Sequence, residues 1–201
     1  MALVSAQAFQ RLAEVFIDRI AVEVKEAAYH SDHWPTQLGD LVACATNLAF
    51  AIELYLKALL THLELPVPQH HDLRALYDAI PESVGREIEL NYLACLQPHV
   101  RSRRSLSITL AKGPQGEPTW DDRTKTSPAL PDLLQRSRNL FQSWRYISEF
   151  TQPQDSPYQF HKFEYVPLLC AARAMNAIIN ELLGGAGSVP LEGRGSRSHD
   201  P

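Results

Sequence analysis

Residues 38–65 read LGDLVACATNLAFAIELYLKALLTHLEL, the longest near-continuous apolar run in the chain, with no proline before Pro66. Leucine, alanine and isoleucine dominate it, so helix propensity is high. At 100° per residue, Thr46, Glu53, Lys57, Thr61 and Glu64 share one narrow stripe. Apart from Asp40, Asn47 and His62 on the flank, the rest of the cylinder is apolar. A helix with so little polar surface has to be wrapped by other helices. The run therefore predicts the central member of an all-α, antiparallel helical bundle.

Working outward, Leu12, Phe16, Ile20 and Val24 recur every four residues in a first helix over about 5–30, with Phe9, Ala13, Val15 and Ile17 beside them, predicting its apolar face. Asp72 is placed to cap a short helix over 73–80, and Pro81 can begin a further one that runs to Pro98. Residues 106–110 alternate like a strand, and KGPQGEPTW follows, so 105–120 predicts a β-hairpin or an irregular excursion from the bundle, with its tip near Gly113–Gly116. Asp132 opens another helix through Phe150; TQPQDSPYQF reads as a connector, and a closing helix runs from about His161 to Leu183. The expected organisation is one domain over 1–184, with 105–127 as a hairpin and loop insertion. Residues 185–201 form a disordered tail by composition.

The totals exclude several classes. Nineteen basic and 23 acidic residues leave a net charge of −4, so no whole-protein positive field draws in nucleic acid. Cys44, Cys95 and Cys170 stand far apart in apolar contexts, without CxxC or Cys/His metal spacing, and predict buried free thiols in a reducing, cytoplasmic setting. His30, Asp32 and His33 crowd one loop without a distant fourth ligand, so no metal and no cofactor is expected. Asp40, Asn47, Glu53 and Lys57 break the long run, which predicts a core helix rather than a membrane span.

Four pieces in this order resemble the HEPN superfamily of helical bundles: LAFAIELYLKALL, HHDLRALYDAI, FQSWRYISEF and the alanine-rich closing helix. The aliphatic helix with Glu53-x-x-x-Lys57, followed by His71-Asp72-Leu73 opening a short helix, carries most of the likeness. The resemblance implies a homodimer. It also implies either a metal-independent ribonuclease, as in toxins and antiviral effectors, or a non-catalytic RNA-binding or scaffold protein. Nuclease members place an arginine four to six residues before a histidine on the penultimate long helix, the histidine serving the 2′-hydroxyl or the leaving oxygen and the arginine the phosphate. The matching helix here offers Arg136, Arg138 and Arg145 but no histidine, and His161 lies beyond two prolines. Arg194 and His199 have the spacing but fall in the Gly/Ser tail, which cannot preorganise a site. The resemblance thus implies a non-catalytic binding or scaffold protein in RNA-linked defence, toxin–antitoxin function or stress response. The alternative is a ribonuclease with a rearranged site built from Arg145 and His71.

The residues themselves leave alternatives open. Glu53 and Lys57 are i, i+4 and can form a solvated pair. Glu53 can also accept from Arg145 across the bundle, as a structural pair or as part of a ligand site, because the guanidinium fork suits a carboxylate or phosphate. His71 can simply pack beside the capping Asp72. Trp144 and Tyr146 point about 100° apart on a helix and cannot make one flat stacking platform. From Arg101 to Arg145, Arg101, Arg103, Arg104, Lys112, Arg123, Lys125, Arg136, Arg138 and Arg145 outnumber Glu117, Asp121, Asp122 and Asp132. That basic stretch can meet phosphates locally or merely solvate a hairpin base. The candidate binding residues are Arg145, Glu53, Lys57, Arg101, Arg103 and Arg104.

Overall fold

The computed structural model describes residues 1–27, 34–101, 107–112, 127–145 and 159–185. The chain is mostly helical: α1 (Ala2–Ala27), α2 (Trp34–His62), α3 (Leu73–Asp78), α4 (Glu82–Arg101), α5 (Leu130–Arg136), α6 (Leu140–Arg145) and α7 (Tyr165–Gly185). Two strands, β1 (Ile108–Lys112) and β2 (Gln159–Phe163), accompany them. The long apolar run is α2, and α1, α3, α6 and α7 all pack on it. Leu48, Ile52, Tyr55, Leu56, Leu59 and Leu60 are fully buried, as expected of a sheathed rod. Both α2, from Gly39, and α7 are long and apolar enough to cross a bilayer by length and composition, but here both lie in the core.

The end of α2 is closed by backbone geometry. Glu64 has φ 57°, and the Leu65 N–H reaches back to the Leu60 carbonyl at 2.9 Å. This left-handed residue after the helix satisfies carbonyls that would otherwise be orphaned. Within α2, Thr46 Oγ1 is buried and lacks a hydrogen-bond partner among the described residues. Replacing a buried unpaired hydroxyl by a methyl of the same shape removes a desolvation cost. Thr46→Val is expected to raise the unfolding free energy by up to about 1 kcal/mol, read by urea denaturation. A loss of that size would show that the hydroxyl is satisfied.

The first helix forms as expected, and Phe9, Ala13, Phe16 and Ile17 of its apolar set face the core, but not all of the set does. Ala6 and Ala13 are fully buried, whereas Leu12 and Val15 are 50% and 61% exposed. Small residues let the α1 backbone approach α2 closely, which larger leucines at the contact would prevent. Polar bonds then fix the register: the Tyr55 hydroxyl donates to Gln10 Oε1 at 2.7 Å and Gln7 Nε2 to Asn176 Oδ1 at 3.0 Å.

Three other expectations change. The helix expected from Asp132 through Phe150 starts at Leu130 and is interrupted at Ser137–Asn139, giving α5 and α6; residues 146–150 lie outside the described ones. The strand expected at 106–110 is present as β1, but it pairs antiparallel with β2, Ile108 opposite Phe163 and Lys112 opposite Gln159. Its described partner is therefore a distant segment, not a local return strand; the remainder of the 105–120 hairpin lies outside the described residues. Residues 159–163, expected as connector and helix start, form that partner, and α7 begins only at Tyr165. The tail beyond Gly185 and the His30, Asp32 and His33 loop also lie outside the described residues.

Candidate functional site

Glu53 sits on the inner side of α2 with only 2% of its surface exposed. A carboxylate at such a position is costly unless its oxygens are taken up by donors. Lys57 Nζ, one turn on, donates to Oε1 at 2.8 Å. His71 Nδ1 lies 3.0 Å from Oε1 and 2.9 Å from Oε2. The expected i, i+4 pair is thus present, part-buried rather than fully solvated, and His71 is a second group on the carboxylate.

His71 is aimed by its neighbour. Asp72 adopts extended backbone geometry and its side chain accepts from the Arg74 and Ala75 N–H groups at 3.0 and 3.1 Å, capping α3. An N-cap of this kind is worth about 1 kcal/mol. It places the preceding residue at the mouth of the helix, over α2. Asp72 caps as expected, and His71 does more than pack at the helix entry: it engages the Glu53 carboxylate.

Phe141 on α6 joins this group to Arg145. The His71 ring lies 5.9 Å from the Phe141 ring centre, nearly parallel at 26°. The Arg145 guanidinium carbon lies 5.6 Å from the same centre, within range for a cation–π contact. Phe141 and Arg145 are i, i+4, so one face of α6 presents both. Phe50 continues the row at 5.6 Å from Phe141, and Phe9 meets Phe50 edge-on at 4.8 Å. A half-buried aromatic row thus runs from α1 across α2 to α6 and ends at His71.

The chemistry of the imidazole follows from its anchor. An Nδ1–H donated to a carboxylate leaves Nε2 of the neutral ring as a lone-pair acceptor and holds the ring's orientation. The His71 side chain is 48% exposed, so the outer ring face reaches solvent while the inner nitrogen is pinned.

Other anticipated residues are placed elsewhere. Arg136 makes a two-pronged bond to the buried Glu164, at 3.0 and 3.2 Å, tying α5 to the start of α7. The Arg138 carbonyl accepts from the Leu73 N–H. Arg101 is exposed at the end of α4, held by Gln97 at 3.0 Å, and borders an open cleft of about 350 Å³ with Leu93, Leu96, Val100 and Pro128. It makes no described bond to the Glu53 group. Arg103, Arg104, Arg194 and His199 lie outside the described residues.

The cysteines are free, as expected, and Cys44 and Cys170 are buried while Cys95 is half-buried. Cys44 is the inert buried thiol anticipated: it donates to the Ala13 carbonyl, and burial pushes it up to about 12. Cys95 and Cys170, far apart in the sequence, are brought together where α4 packs on α7, with His99 beside them. The neighbouring Cys170 thiol, with the nearby Arg173, pulls Cys95 down to about 7. The neighbouring Cys95 sulfur, then burial, pushes Cys170 up. Cys95 and His99 are i, i+4 and so share a helix face, which corrects the expectation of no Cys/His metal spacing; the third member on another helix was not legible.

Residues 36–104 match the HEPN domain family. The matched segment holds α2, α3 and α4, and with them Glu53, Lys57 and His71, while Phe141 and Arg145 lie beyond it. No curated protein and no solved structure matches the chain.

Proposed function

Given that this chain belongs to the HEPN superfamily through the domain spanning residues 36–104, we propose that it is a non-catalytic RNA-binding module of defence or stress response. The observation supporting this reading is the placement of His71 and Arg145 on one aromatic ring, Phe141, with His71 anchored to the buried Glu53. Imidazole and guanidinium groups donate to phosphate oxygens, and half-buried rings accept stacked bases of any sequence. Lys57, 20% exposed, adds positive charge to the same side of α2. Such a surface binds phosphates locally even though the whole protein is acidic.

The helices form an antiparallel HEPN-type bundle in this reading, and the protein works as a cytoplasmic homodimer. Val4, Leu12 and Val15 make an outward apolar stripe on α1 that a second copy covers. Leu12→Glu is expected to shift the species seen by light scattering from dimer to monomer; an unchanged mass would remove this interface.

One observation favours a second reading, a metal-independent ribonuclease. Glu53 takes the Nδ1 side of His71, which leaves Nε2 as a base for a ribose 2′-hydroxyl. The 2′-oxygen would attack the adjacent phosphorus, the 5′-oxygen would leave, and Arg145 would stabilise the phosphorane charge. Incubating the full chain with labelled single-stranded RNA, with and without EDTA, separates the two. Retention of intact RNA in both conditions is the expected result. Metal-independent cleavage lost in both His71→Ala and Arg145→Ala would establish the second reading, and absence of any binding would remove both.

A further inference from the structure

We propose that Cys95, His99 and Cys170 form a zinc-class metal site that clamps α4 to α7, apart from the Glu53 and His71 group. One ligand atom of each residue lies within 4.8 Å of the others. A tetrahedral ion about 2.3 Å from sulfur and about 2.0 Å from nitrogen needs its ligands roughly 3.5 Å apart.

The placement is built by the fold. Cys95 and His99 sit one turn apart on α4 and project to the same side, while Cys170 comes from the first half of α7. Cys170 is 1% exposed, whereas Cys95 and His99 are half-buried, so the inner ligand is dry and the outer two form the approach. Two thiolates and an imidazole are soft and borderline donors, the set that selects zinc over magnesium or calcium. Three protein ligands leave the fourth tetrahedral position for water or an incoming ligand.

Binding is balanced in protons and charge. Two S–H bonds break and two protons go to solvent; two metal–sulfur bonds form, and one imidazole nitrogen gives its lone pair. The divalent charge is cancelled by the two thiolates. Arg173, whose guanidinium is near Cys95, is held at 3.0 Å by Glu14, which answers its charge beside the ion.

The test uses the full chain, reduced with a phosphine and freed of metal, titrated with Co²⁺. Expected is a thiolate-to-cobalt charge-transfer band saturating at one ion per chain, with tetrahedral visible bands, abolished by one equivalent of Zn²⁺. Cys44→Ala should keep the band. Cys95→Ser and His99→Ala should each weaken binding by more than about 100-fold, since loss of even an outer-shell partner costs about 10–100-fold. Far-ultraviolet circular dichroism checks that each variant folds, and the half-buried positions 95 and 99 keep the test independent of the core position 170. Lack of a charge-transfer band in the reduced protein, or a band that survives Cys95→Ser, would overturn the site. Oxidation to a Cys95–Cys170 disulfide that reduction does not convert to a Co²⁺-binding form would overturn it equally.

Discussion

Trp144→Ala is expected to destabilise the protein by about 3–5 kcal/mol, the largest single-residue loss anticipated outside α2. The indole is 1% exposed and packs against Phe163, ring centres 5.4 Å apart at 55°. Phe163 is fully buried at the end of β2, immediately before α7, so the indole joins α6 to the α7 side of the core. Truncation removes a large apolar area and leaves a cavity that a rigid bundle fills poorly. A six-residue helix has no stability of its own in water, so α6 is held in place by the side chains it buries, Leu140 and Trp144. The same substitution should therefore displace Phe141 and Arg145, and RNA affinity should fall even where circular dichroism reports a folded bundle. Guanidinium unfolding at constant m-value measures the stability part. A change below about 1 kcal/mol would mean that α6 is not docked as described.

The second large effect belongs to Glu53. Removing one partner of a buried ion pair commonly costs about 3–5 kcal/mol because a charge is left uncompensated. Here Lys57 and His71 are 20% and 48% exposed and can turn to water, so Glu53→Ala is expected to cost about 2 kcal/mol. Glu53→Gln keeps the shape and one carbonyl acceptor, and should cost less. The informative quantity is the double-mutant cycle of Glu53→Ala with His71→Ala. Two groups bonded at 2.9 Å should couple by at least about 0.5 kcal/mol in unfolding free energy. Coupling below that would show that the imidazole is not held by the carboxylate. Freed of its anchor, His71 also loses its fixed orientation beside Phe141, so RNA binding should weaken in Glu53→Ala although residue 53 is buried away from any ligand.

The long apolar run carried most of the fold because its pattern is local: a helix with one polar stripe has few ways to be satisfied. The cap at Asp72 was equally legible, since a capping carboxylate needs only its own next three residues. The inward face of α1 was legible only in part, because apolar spacing alone does not say that Leu12 and Val15 stay exposed while Ala13 is buried. The choice was made by how closely α1 approaches α2, a property of both helices. The strand at 108–112 was legible as a strand, whereas its pairing with 159–163 depends on the path of everything between. The site follows the same division. Glu53 and Lys57 belong to one helix and could be paired on spacing. His71 as the carboxylate's donor, and Phe141 as the surface shared with Arg145, required three helices to be assembled. Cys95, His99 and Cys170 were missed for that reason too, because two of the three lie on α4 and the last on α7.

The most direct measurement is the salt dependence of single-stranded RNA affinity for the native chain and for Arg145→Ala, in EDTA. Each phosphate contact contributes a slope of about −0.7 in log affinity against log salt for a single strand. The account predicts affinity that falls with salt, and an Arg145→Ala variant that binds more weakly with a slope shallower by about one contact. Equal affinities and equal slopes for the two proteins would contradict it.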